Sequence, residues 1–225
     1  MKDFIVKNNL YIITSLGLII AIYMLLSWSS LVGPMPFLQQ MVGIFIIGLV
    51  LHLWEEQRFP GGFANPMAQG FDFTEEDIES GGVITTIYVL IIAFIPFFVP
   101  FFFTDFTFLT FLIVAPMLLG FLETGAHFVG SRMYEAKRFY SPGLATALFV
   151  LLPVSVLSII YVLQHNLMQP LDWVFSLLYM AVGLISAQYY VVTSSGMKYR
   201  DFMKTVRKNM GRKKDQVDES ESENE

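Results

Sequence analysis

The sequence predicts an all-α integral membrane protein, a polytopic bundle of six transmembrane helices with both termini in the cytoplasm. Three observations predict it. The 225 residues are 55% hydrophobic and 15% charged, with a mean hydropathy of +0.58, whereas soluble domains carry roughly a quarter charged residues. Six apolar windows approach the length of about 20 residues that a helix needs to cross a bilayer. One orientation also places all 14 Lys and Arg residues on the same side.

The windows are Leu10–Trp28, Phe37–Trp54, Gly82–Phe103, Phe106–Phe128, Leu144–Leu163 and Leu171–Val192. Helices are expected because an open strand edge finds no hydrogen-bond partner in hydrocarbon. The first window is read as a retained span, since no small-x-small cleavage site stands out near Ser27–Gly33. The second is interrupted by Gln39 and Gln40. The third carries FIPFFVPFFF, in which Pro96 and Pro100 kink the helix and free carbonyls for other partners. Little more than Thr104 and Asp105 joins the third to the fourth, so the two form an antiparallel hairpin. Pro116 and Pro153 kink the fourth and fifth.

Orientation follows from the cations. With the N-terminus inside, Lys2, Lys7, Arg58, Arg132, Lys137, Arg138 and the basic residues from Lys198 to Lys214 are all cytoplasmic, and the outer loops hold none. The chain then divides into a transmembrane domain over 1–196, a basic amphipathic membrane-surface segment over 197–214 and an acidic disordered tail over 215–225. In the surface segment Met197, Phe202, Met203, Val206 and Met210 recur at near-helical spacing among cations, which suits an anionic inner leaflet rather than nucleic acid. The tail, DQVDESESENE, lacks an apolar residue apart from Val217. Residues 57–81 form the longest internal loop, where Thr74 and Asp77 suggest a capped interfacial helix.

The second window ends in LHLWEEQRFPGG. His52, Glu55 and Glu56 stand at i, i+3 and i+4, so the histidine shares a helix side with both carboxylates. In the fourth, FLETGAHF puts Glu123 and His127 at i, i+4. With 1.5 Å of rise per residue, His52 and Glu56 lie ~22 and ~28 Å below the outer end of their helix, and Glu123 and His127 ~25 and ~31 Å below theirs. Two helices thus carry the same chemistry to the same height, near the cytoplasmic boundary of a hydrocarbon layer about 30 Å thick.

Unpaired carboxylates at that depth are costly, and a divalent metal would neutralise them together. His52, Glu56, Glu123 and His127 are the candidate ligands for zinc, iron or manganese. Glu55, Glu56 and Glu123 are the candidate catalytic carboxylates, with one left as general base in a mononuclear site. Without metal, His52 and Glu123 would form an acid–base pair. Arg58, Arg132 and Arg138 are candidates for a substrate or lipid headgroup. Gln188 and Tyr189 lie at the height of the site, and His165 belongs to an outer loop and is left out. The absence of cysteine excludes disulfides, thiolate ligands and a cysteine nucleophile. No G-x-S-x-G element and no phosphate loop is present.

His52-Leu-Trp-Glu55-Glu56 in a multi-span chain resembles the HXXEE family of bacterial membrane proteins. The match at His52, Glu55 and Glu56 is complete, and Glu123 with His127 on another helix fits the same pattern. The resemblance spans residues 35–190. It implies a cell-membrane location and a site at the motif, with no established reaction. The expected function is a membrane enzyme acting on a lipid or lipid-linked substrate, with the bilayer as partner and no nucleic acid. A non-catalytic scaffold using the acidic loop and tail is the alternative. A small-solute transporter fits less well, because the strong ionisable residues avoid the midplane.

Overall fold

The computed structural model describes residues 2–63, 95–102, 110–134, 140–194 and 196–205. Among these residues every regular element is a helix. They are α1 (Lys2–Trp28), α2 (Phe37–Gln57), α3 (Ile95–Phe102), α4 (Thr110–Tyr134), α5 (Leu144–Gln164), α6 (Pro170–Ser194) and a short α7 over residues 199–205. Five of them, α1, α2, α4, α5 and α6, are long and apolar enough to cross a membrane. They coincide with five of the six windows. Most of the third window, its link to the fourth and the capped helix near Thr74 fall outside the described residues, as do the tail and the second half of the basic segment.

α2 is the central helix, and packs against α1, α3, α4 and α5. Its buried residues Val42, Phe45, Ile46, Leu49 and Leu53 meet Ile20 and Met24 of α1, Phe97 of α3, Ile113 and Met117 of α4, and Leu151 of α5 in one core. This explains the glutamines that interrupt its apolar run. Buried Gln39 donates through Nε2 to the Phe97 carbonyl at 2.9 Å, tying α2 to the proline-rich α3. Gln40 donates to the Met35 carbonyl and accepts from the Trp28 indole. Both amides are satisfied at the start of the helix, where an unpaired one would cost about 1–3 kcal/mol.

The helix ends alternate. Thr14, midway along α1, accepts from Trp54 near the end of α2 at 2.8 Å, while Met24 further along α1 lies beside Gly43 near the start of α2, so the pair is antiparallel. Ser176 of α6 donates to the Phe111 carbonyl of α4 at 2.8 Å, which sets the starts of those helices side by side. One end of the bundle therefore gathers the start of α1, the ends of α2, α4 and α6, and the start of α5. Beyond α6, buried Phe202 of α7 packs on Val192 with Met197 and Tyr199.

The FPGG that follows the motif lets the chain reverse over the last turn of α2. Gly61 and Gly62 take φ of +75° and +86°, a region open to glycine. The Gly61 and Phe63 amides then donate to the Glu55 and Glu56 carbonyls at 3.1 and 3.3 Å, satisfying acceptors that a helix end leaves free. α5 opens from Gly143 in the left-handed region, runs through Leu144–Thr146, widens to a π-helical turn over Ala147–Leu151 and continues as α-helix from Leu152. Pro153 is seated just after that turn, so the proline stands at a change of helical winding.

Candidate metal centre

Four side chains meet at the gathered end of the bundle. One ligand atom each from His52, Glu56, Glu123 and His127 can be chosen so that all lie within 4.8 Å of one another. His52 Nε2 is 3.5 Å from Glu56 Oε1 and 3.8 Å from Glu123 Oε2. His127 Nε2 is 3.3 Å from Glu56 Oε1 and 3.5 Å from His52 Nε2. Both imidazoles are buried, and the carboxylates are 14% and 29% exposed. Among the described residues no Lys or Arg pairs with either carboxylate.

The outer nitrogens decide which way the inner ones face. His52 Nδ1 lies 3.0 Å from the Gly143 carbonyl and 3.0 Å from Thr146 Oγ1. A carbonyl only accepts, so Nδ1 carries the proton and Nε2 presents a lone pair. His127 Nδ1 lies 3.0 Å from Ser141 Oγ, a hydroxyl able to donate or accept, which is also 3.4 Å from the His127 carbonyl. The two Nε2 atoms face each other across 3.5 Å. Where both present lone pairs, that contact repels unless a proton or cation lies between them.

The donor set fits a divalent metal. Imidazole nitrogen and carboxylate oxygen suit zinc, iron and manganese, and metal-bound histidines characteristically donate their other N–H to a protein oxygen. Four ligands at ~2.0 Å in a tetrahedron are ~3.3 Å apart, close to the four separations of 3.3–3.8 Å that link these side chains.

Glu55 goes elsewhere. Its Oε1 accepts from Tyr140 Oη at 2.6 Å and the Ala145 amide at 3.1 Å, and its Oε2 accepts from the Thr146 amide at 2.9 Å and the Thr146 hydroxyl at 2.6 Å. Successive helical residues point ~100° apart, so Glu56 faces α4 while Glu55 faces the start of α5. It caps that start, where unpaired amides favour an anion. Burial and the neighbouring Glu55 carboxylate push the Tyr140 phenol up to about 12.

Gly143 is fixed by both backbone and space. Its φ is +100°, and a Cβ there would lie 2.5 Å from His127 Cε1, 2.6 Å from His127 Nε2 and 2.8 Å from Glu56 Cγ. The chain entering α5 thus presses against the two imidazoles. Phe63 covers His127 with ring centroids 4.5 Å apart.

Of the remaining candidates, those that are described are not brought to the centre. Arg58 is the exposed cap of α2. The Arg132 side chain and Arg138 lie outside the described residues. Gln188 and Tyr189 are exposed, and Gln188 accepts from Tyr199 at 2.9 Å. His165 is exposed and stacks on Tyr161. The residues that sequence reasoning missed are Ser141, Gly143, Thr146 and Tyr140, which hold the imidazoles and Glu55. The Ser-Pro-Gly ahead of an apolar run was the available signal, a helix start by composition.

A family model described as a protein of unknown function with HXXEE motif matches residues 43–158, just over half the chain. The chain belongs to this family. The matched stretch of the HXXEE protein contains all four clustered side chains together with Glu55, Ser141, Gly143 and Thr146. No curated protein and no solved structure matches it.

Proposed function

We propose that this HXXEE protein is a membrane-embedded, metal-dependent enzyme whose site opens at the cytoplasmic side and acts on a lipid or lipid-linked substrate. The observation that carries it is the approach of the His52 and His127 Nε2 atoms to 3.5 Å, flanked by two carboxylates. His52, Glu56 and His127 would hold a divalent ion, which when bound supplies Lewis acidity toward an ester or phosphoester. Glu123, the most exposed of the four, is free to leave the ligand set and take a proton from water as general base. Exposed Phe121 and Leu122 adjoin it on α4 and favour an apolar approach. Arg58, Arg132 and Arg138 are the proposed headgroup contacts.

The cytoplasmic assignment draws on charge. Lys2, Lys7, Arg58, Arg132, Lys198, Arg200 and Lys204 all belong to the end of the bundle that gathers the site, and cations are retained inside. With the window 82–103 as a further span, the proposed topology is six helices with both termini inside.

The test is turnover in vesicles. Purified protein is reconstituted with zinc, manganese or ferrous iron in bacterial polar lipids, and lipid composition is followed by mass spectrometry. A metal-dependent product that His52→Ala and Glu123→Gln both abolish is expected. Identical lipid profiles for the wild type and both variants would remove the enzymatic reading.

A further inference from the structure

The two glutamates of the motif occupy different sites, and the second site has its own logic. Glu55 accepts four hydrogen bonds, from Tyr140, the Ala145 amide, and the amide and hydroxyl of Thr146. The Thr146 hydroxyl has one proton. It lies 2.6 Å from Glu55 Oε2 and 3.1 Å from the Gly143 carbonyl, and the shorter, charge-assisted bond takes it. With its proton committed to Glu55, Thr146 Oγ1 offers His52 only lone pairs. His52 Nδ1, 3.0 Å away, must therefore donate.

We infer that Glu55 is a positioning residue which, through the Thr146 hydroxyl, holds His52 in the tautomer and orientation that aim its Nε2 at Glu56, Glu123 and His127. The chain from carboxylate to hydroxyl to imidazole resembles the carboxylate–histidine arrangement that orients metal ligands, with a threonine inserted as relay. Glu55 reaches across from α2 to the first turn of α5, so the same carboxylate that caps α5 also sets where its Gly143 carbonyl and Thr146 hydroxyl stand. The spacing of the motif follows. The histidine and the last glutamate at i, i+4 converge on the centre, while the glutamate between them turns ~100° aside to fix the histidine from outside.

This rests on the metal reading only for one of its two readouts. The first is the protonation pattern of His52 in metal-free protein, read by nitrogen-15 NMR of labelled histidine, with His165→Asn and His127→Gln assisting assignment. A proton on His52 Nδ1 is expected, whatever proton Nε2 shares with its neighbours, and an Nδ1 without a proton overturns the inference whether or not metal binds. The second is affinity for Zn²⁺ by chelator competition, with the visible spectrum of the Co²⁺-loaded protein.

Thr146→Val, which keeps the shape and the backbone bonds to Glu55, is expected to weaken Zn²⁺ binding 10–100-fold and to shift the Co²⁺ spectrum. Thr146→Ser restores both. Glu55→Gln weakens binding similarly, and the double variant Glu55→Gln/Thr146→Val adds little to either single one. A Thr146→Val variant with wild-type affinity and spectrum, or a double variant whose losses simply multiply, overturns the relay. Wild type that takes up neither metal while His52 stays protonated at Nδ1 would sink the metal reading and leave the positioning role standing.

Discussion

The Nε2 atoms of His52 and His127 lie 3.5 Å apart although 75 positions separate them in the chain. Each ring is turned by a protein oxygen on its far side, Gly143 and Thr146 for one and Ser141 for the other. Those oxygens all come from the short stretch that enters α5. The centre is thus built by α2 and α4 and aimed by α5.

Gly143 is the tightest point of that arrangement. Gly143→Ala puts a methyl 2.5 Å from the His127 ring in a backbone region unfavourable to L-residues. A loss of about 1–3 kcal/mol in stability is expected from the strained conformation. Thermal unfolding in detergent measures it, and metal uptake should fall with it. A variant as stable as wild type, with uptake intact, would contradict the packing described.

Much of this was legible in the sequence. Helical rise alone placed His52, Glu56, Glu123 and His127 at one height, and those four are the ones that meet. The spacing also makes Glu55 a candidate catalytic carboxylate beside them, because i+3 and i+4 both count as the same side of a helix. The neighbouring carboxylates nonetheless diverge by ~100°, and which of them meets α4 depends on how α2 is rotated in the bundle. Rotation is set by packing around Phe45 and Leu49, not by local spacing. Ser141 and Thr146 were illegible for a related reason, since only the path of the chain into α5 brings their hydroxyls to the imidazoles. The glutamines of α2 looked like an interruption because their partners, the Phe97 carbonyl and the Trp28 indole, come from other parts of the chain.

Gln39 gives a prediction outside the site. Gln39→Leu removes the side-chain donor that ties α2 to the Phe97 carbonyl of α3. A loss of about 0.5–1.5 kcal/mol is expected for the missing hydrogen bond, read as a lower unfolding temperature with the metal content unchanged. A variant of equal or higher stability would show that this bond does not hold the two helices together.

Tyr140 carries a pH dependence. Its phenol is pushed up to about 12 in the folded protein, against about 10 in the unfolded chain. A raised folded value means that the contribution of the Tyr140–Glu55 bond is fully present below about pH 10 and lost as pH climbs through the folded value. The stability gap between wild type and Tyr140→Phe should therefore hold constant from neutrality to about pH 10 and close above it. A gap that closes already near neutrality would contradict this.

Metal binding to the folded state should also stabilise it. A ligand at 100 times its dissociation constant contributes about 2.7 kcal/mol. Adding a strong chelator should lower the unfolding temperature of the wild type and leave that of His127→Ala unchanged. Equal shifts in both proteins would place the ion elsewhere.

The most direct measurement is elemental analysis of the purified protein beside His52→Ala, Glu56→Gln and His127→Ala, each checked for intact helical content by circular dichroism. The account predicts one zinc, iron or manganese ion per wild-type chain and loss of that ion from all three folded variants. Wild type carrying no such ion after exposure to each, or variants that keep it, would contradict a metal centre built from these side chains.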